Sequence, residues 1–179
     1  KADLAQLAEV TALLPSLVHG FDYSRAIDLL TGLRFETTDV RTAVEGRLYL
    51  YSSARDFTKQ LQLDLIGKGW TGTLTQRSGV TLTGTASLAA GSSDLQIKVE
   101  GGTITIPFDS IAPQSLIEMA QSFTTQVTDS TDYYHRQELA ATFARAAGLD
   151  QLSTTLAAQL MEENRPFRSR WMKVMEAGI

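Results

Sequence analysis

The sequence predicts an α+β fold: a four-stranded antiparallel curved meander of SH3-like half-barrel type, flanked by N- and C-terminal helical hairpins. Three observations carry this. Apolar residues recur at three- and four-residue spacing up to about position 67 and again beyond position 112. Between Trp70 and Phe108 the period drops to two, with Thr alternating against Leu, Ile and Val. Turn signals (Ser78-Gly79, Gly91-Ser92-Ser93-Asp94 and Gly101-Gly102) divide that stretch into four strands. The 179 residues are read as one domain with subregions 1–67 helical, 70–108 β-meander and 112–179 helical.

The first helix is marked by Leu4, Leu7, Val10, Leu14, Leu17 and Val18, with Asp3 placed to cap it. Gly20-Phe21-Asp22-Tyr23 interrupts the pattern, and Ala26, Leu29, Leu30 and Leu33 define a second helix close enough to form a hairpin. A long third helix starts near Asp39. It carries Val40, Val44, Leu48, Tyr51, Phe57, Leu61 and Leu65, and contains Gly46, where a kink or a packing contact is expected. Gly67 and Gly69 end it.

In the strands, Thr71, Thr73 and Thr75 alternate with Gly72 and Leu74, and Thr81, Thr83 and Thr85 with Leu82 and Gly84. Leu95, Ile97 and Val99 follow the same rule, as do Ile104 and Ile106. Such strands bury one face and expose the other. After Ile106-Pro107-Phe108, Pro113 suits the first turn of a helix bearing Leu116, Met119 and Phe123. A helix with Leu139, Phe143 and Ala146 closes at Gly148. Leu149, Leu152, Leu156 and Leu160 form the next, and Asn164-Arg165-Pro166 starts the last, which carries Phe167, Trp171 and Val174.

Composition narrows the function classes. Hydrophobic content of 43% with 20% charged residues is that of a soluble globular protein. The absence of cysteine excludes disulfides, thiol catalysis and thiolate metal sites. A formal net charge of −4 argues against nucleic acid as partner, and no apolar run reaches the roughly 20 residues of a membrane span. The chain starts at Lys1 and is read as a fragment without targeting signals, so no compartment is assigned.

Candidate sites are few. His19 fits a cation at a helix C-terminus. His135, with Asp129, Asp132 and Tyr133, offers a general acid–base cluster for a hydrolase or lyase, set against its plainer reading as the polar first turn of a helix. Asp94, Glu100 and Asp109 fall in turns and at strand ends. No metal-ligand spacing, phosphate loop or nucleophile elbow is present, so no catalytic residue, metal or cofactor is assigned. Trp70, Tyr49, Tyr51 and Phe108 are the candidate ligand-binding rings, with core packing as the plainer reading. Arg165, Arg168, Arg170, Trp171 and Lys173 are the candidate partner-binding set on an amphipathic basic helix, where Arg165, Arg168 and Met172 lie opposite Phe167, Trp171 and Val174.

The stretch from Leu14 to Leu30, with Gly20-Phe21-Asp22-Tyr23 followed by Ala26-Ile27-Asp28-Leu29-Leu30, resembles the hairpin step of tetratricopeptide-like helices. Arg136 to Leu160, turning at Gly148, is similar to a second. The order of long helix, curved meander, Ile106-Pro107-Phe108 and Pro-started helix resembles helical accessory regions of bacterial eukaryotic-like serine/threonine kinase proteins. No Gly-rich loop, His-Arg-Asp or Asp-Phe-Gly is present. The resemblance therefore implies an accessory segment and not the catalytic one. The expected function is a non-enzymatic protein-interaction or scaffolding domain of a larger bacterial protein, meeting a protein partner or a neighbouring domain. The alternative is a small-ligand or glycan-binding module. The expected working surface is the C-terminal basic helix or the groove between the Pro113 helix and the meander.

Overall fold

The computed structural model describes residues 2–33, 35 and 37–178; the capping role expected of Asp3 falls on a side chain outside that description. Among the described residues are seven α-helices, α1 (Ala2–His19), α2 (Tyr23–Thr31), α3 (Thr38–Gly67), α4 (Pro113–Thr124), α5 (Ser130–Ala146), α6 (Asp150–Glu163) and α7 (Arg165–Glu176). Between α3 and α4 lie β1 (Trp70–Thr75), β2 (Thr81–Leu88), β3 (Asp94–Val99) and β4 (Gly102–Pro107). They form an open antiparallel sheet in the order β1-β2-β3-β4. The chain makes two compact units, residues 1–57 with 129–179, and residues 58–128. α3, about 45 Å long for its 30 residues, contributes its first two thirds to one and its last turns to the other.

The helical unit has an aromatic centre. Phe57 stacks on Phe143 with ring centroids 4.2 Å apart, Phe21 lies 5.6 Å from Phe143, and Tyr23 lies 6.2 Å from Tyr51. α5 differs from the one-sided helix its Leu139, Phe143 and Ala146 suggest, because every residue from Glu138 to Ala144 is buried. Small Ala and Thr side chains let α6 approach it closely, and Thr142 turns its hydroxyl onto the Glu138 carbonyl at 2.9 Å. Gly148, at φ +75°, ends α5 in the left-handed conformation that glycine adopts freely.

α1 packs on α2, with only Leu14 of its apolar stripe fully buried; Leu4 is 61% exposed. The turn after α1 places Phe21, not Gly20, at positive φ (58°), while the Asp22 and Phe21 amides bond the Leu17 and Val18 carbonyls at 2.8 and 3.1 Å. Asp22 then caps α2, accepting from the Arg25 amide at 3.1 Å. α2 stops at Thr31, before Leu33. Gly46 leaves α3 unbroken and is itself buried.

In the sheet unit the inward residues Leu74, Ala86, Leu95, Ile97 and Ile106 meet a core completed by Ile111, Leu116, Met119 and Phe123, with Leu61 and Leu65 from α3. α4 packs on β1. Ser115 accepts from the Thr75 amide at 2.9 Å, and the Trp70 indole donates to Ser122 at 3.2 Å. Gly72 and Gly84 face one another across β1 and β2. A Cβ on Gly84 would come within 2.3 Å of the Lys98 carbonyl oxygen, so the close approach of β2 to β3 requires glycine there. The outward face is lined by threonines that pair across strands, Thr71 with Thr85 at 3.0 Å and Thr73 with Thr83 at 2.7 Å.

Candidate functional site

The basic C-terminal helix is built from a cap outward. Asn164 accepts from the Phe167 amide at 3.1 Å and so fixes the start of α7, with Pro166 in its first turn where no amide partner is needed. From that start, helical spacing sends Phe167, Trp171 and Val174 to one side. Phe167 and Trp171 stack at 5.6 Å and pack with Ala141 of α5 and Ala157 and Leu160 of α6. Trp171 is 4% exposed. Of the partner-binding set named from sequence, it is a core residue that holds α7 in place.

Arg170 is the second anchor. Its Nε donates to Glu138 Oε1 at 2.8 Å and its Nη2 to Oε2 at 2.6 Å, a two-pronged guanidinium–carboxylate pair joining α7 to α5. Tyr49 of α3 donates its hydroxyl to the same Oε1 at 2.6 Å. Burial, reinforced by the neighbouring carboxylate, pushes the Tyr49 phenol well above its ordinary range, so it stays a donor. The bond to Glu138 likewise raises Arg170, against the opposing effect of desolvation. Three helices distant in sequence thus meet on one buried carboxylate whose two oxygens are both occupied. Glu138 was not singled out from the sequence. Its need for a partner follows only from the burial of α5 on every side, which the sequence pattern does not show.

With its inner side held in these two ways, α7 presents Arg165, Arg168, Met172 and Met175 outward, successive at three- and four-residue steps, with Lys173 on the flank. Met172 and Met175 are 46% and 50% exposed. Cations and flexible apolar side chains on one stripe can engage carboxylates and small hydrophobic surfaces together.

The other sequence candidates lie elsewhere. Of the four rings, Tyr49 and Tyr51 belong to the helical unit and Trp70 and Phe108 to the sheet unit. Tyr51 is buried beside Tyr23, and Phe108 is buried in the sheet core. Trp70 covers Gly72 and is tied to Ser122, and Tyr49 is engaged by Glu138. Asp129 caps α5, accepting from the Asp132 amide at 2.8 Å, and Asp132 pairs with Arg136 at 3.1 Å, while His135 is exposed. This is the geometry of a helix start. His19 occupies the last turn of α1. Asp94, Glu100 and Asp109 are exposed. Among the described residues no group of three or more His, Cys, Asp or Glu is arranged to hold a metal ion, and no helix is long and apolar enough to cross a membrane.

The fold and this surface define an α+β protein with a braced, outward-facing basic helix. Comparison of the chain with protein-family models, curated proteins and solved structures finds no match.

Proposed function

We propose that the chain is a protein-interaction or scaffolding domain of a larger bacterial protein, and that the outer stripe of α7 is its docking surface. The observation that carries the reading is the division of labour on this helix. Phe167, Trp171, Val174 and Arg170 secure it, leaving Arg165, Arg168, Met172, Lys173 and Met175 to solvent. The occupant that fits is an acidic amphipathic segment of another protein. Its carboxylates meet the three cations, and an apolar side chain settles on the methionines.

The test is selection of a displayed peptide library on the intact chain. Acidic peptides with spaced Leu, Ile or Phe are the expected winners. Their affinity should fall at least tenfold for the Arg165→Glu, Arg168→Glu, Lys173→Glu variant and should weaken as salt rises. Winners that are basic or neutral, or that bind the variant equally well, would overturn the proposal. The changed residues are exposed, so circular dichroism of the variant should match that of the parent.

A further inference from the structure

A second surface stands on different observations, in the sheet unit alone. At β1 the outward residues are Thr71, Thr73 and Thr75, and the chain itself satisfies the last of them, since the Thr75 amide donates to Ser115 at 2.9 Å and its carbonyl accepts from Ala112 at 2.9 Å. The segment after β4 continues that edge through the Gln76–Ile111 bridge. Among the described residues, β4 has β3 on one side and no strand on the other.

The register fixes which groups of β4 look outward. Ile104 pairs with Ile97 and Ile106 with Leu95, and the same phase continues to Phe108, whose amide bonds the Ser93 carbonyl at 3.0 Å. Those positions spend their backbone groups on β3. Thr103 and Thr105 alternate with them, so their amides and carbonyls point to the open edge. Pro107, next in that series, has no amide to offer. The edge therefore carries two complete donor–acceptor residues with Ile104 between them. β4 has no Lys and no charge, and its one proline, Pro107, guards only the end of the edge. Ile104 shares the inward face with Ile97 and Ile106, yet it is 36% exposed where they are 1% and 7%.

We infer that β4 pairs antiparallel with β4 of a second copy of this chain, centred on Ile104. Only this register uses both outward residues fully: Thr103 of each copy faces Thr105 of the other, giving four backbone hydrogen bonds across the two-fold axis. A register centred on Thr105 sets Thr103 against Pro107, and one centred on Thr103 sets Thr105 against the turn at Gly101. In the Ile104 register the two half-exposed isoleucines face one another and bury what the single sheet leaves open. On the outer face it repeats the Thr–Thr pairs already made between β1 and β2. No charged residue is set against its like. One strand pair covers less than the roughly 1,000 Å² of a stable interface, so the association is weak.

The experiment combines sedimentation over a concentration series up to about 1 mM with single-cysteine variants, which the cysteine-free sequence allows. The expected mass rises toward twice that of the chain. Thr105→Pro, which removes an outward amide, and Ile104→Lys, which sets two cations face to face, should each weaken association at least tenfold while leaving the circular dichroism and thermal midpoint nearly unchanged. Ile104→Cys should form an intermolecular disulfide under mild oxidation, because directly opposed residues of this kind sit about 4.5 Å apart. Thr103→Cys should not, because its copy lies diagonally at about 7–8 Å. A mass independent of concentration, the edge being left to a strand of another protein, overturns the inference. So does an association indifferent to both edge variants, or one in which the Thr103→Cys chain cross-links as readily as the Ile104→Cys chain.

Discussion

Replacing Glu138 by Gln and Arg170 by Met, singly and together, measures what fastens α7 to the helical unit. Glu138→Gln keeps an acceptor for Tyr49 but loses the charge that the guanidinium grips. Arg170→Met keeps most of the side-chain length and leaves the carboxylate with Tyr49 alone. The Glu138 side chain is only 11% exposed, which would favour the large penalties of a broken buried pair, whereas Arg170 is 42% exposed and its charge is partly screened by water. The balance is set between the roughly 0.2–1 kcal/mol of surface pairs and the ~1.5–3 kcal/mol of hydrogen bonds to charged groups. Expected losses are about 1–2 kcal/mol for Glu138→Gln and about 2 kcal/mol for Arg170→Met, with a coupling of about 1–2 kcal/mol between them. The assay is urea unfolding followed by the fluorescence of Trp171, in a Trp70→Phe background that removes the signal of the sheet unit. A coupling below about 0.3 kcal/mol, the scatter of independent sites, would refute the view that this pair secures α7.

Other consequences can be checked with similar means. Gly84→Ala forces a Cβ to 2.3 Å from the Lys98 carbonyl and should cost at least about 2 kcal/mol in the sheet unit, read through Trp70; Gly67→Ala, with nothing within 4 Å, should gain a few tenths. Burial raises both Tyr49 and Tyr51 above the usual phenol value of about 10. The folded chain therefore holds protons that the unfolded chain releases, so this stability is complete below pH ~10 and is lost as pH climbs toward the folded values. Urea midpoints at pH 8, 10 and 11 should fall, and less steeply in Tyr49→Phe; a flat profile would count against the buried phenols. Gly20→Ala meets only ordinary contacts, 3.7 Å from the Ser16 carbonyl, and should be neutral or mildly stabilising. A loss above about 1 kcal/mol would show that the turn after α1 depends on Gly20 and not on Phe21.

The elements legible in the sequence are those whose signals are local. The meander from Trp70 to Pro107 announces itself by period two and by its turn glycines, because strand burial and turn geometry each act over a few residues. The same holds for Pro113 at the start of α4, Gly148 after α5 and Asn164 before α7. The features that are not legible depend on the tertiary environment. α5 reads as a one-sided helix from Leu139, Phe143 and Ala146, while Ala140, Ala141 and Ala144, small enough to sit on either an inner or an outer face, are buried as well. The Tyr49–Glu138–Arg170 link spans 89 and 32 residues, and its basic member lies hidden in a run of cations. Spacing places Trp171 on an apolar face, but it does not say which face of a terminal helix finds a partner within its own unit. In α1 the opposite holds: a clear stripe runs from Leu4 to Val18, and the unit covers only part of it.

The central claim concerns the outer stripe of α7, and the four methionines provide its most direct measurement. Met172 and Met175 lie on the stripe, Met161 packs beside the Phe167–Trp171 cluster, and Met119 is buried in the sheet unit. Methyl NMR of methionine-labelled chain, titrated with a selected acidic peptide, should move the Met172 and Met175 resonances in proportion to occupancy and leave Met119 in place. Binding that leaves Met172 and Met175 unmoved would contradict the account.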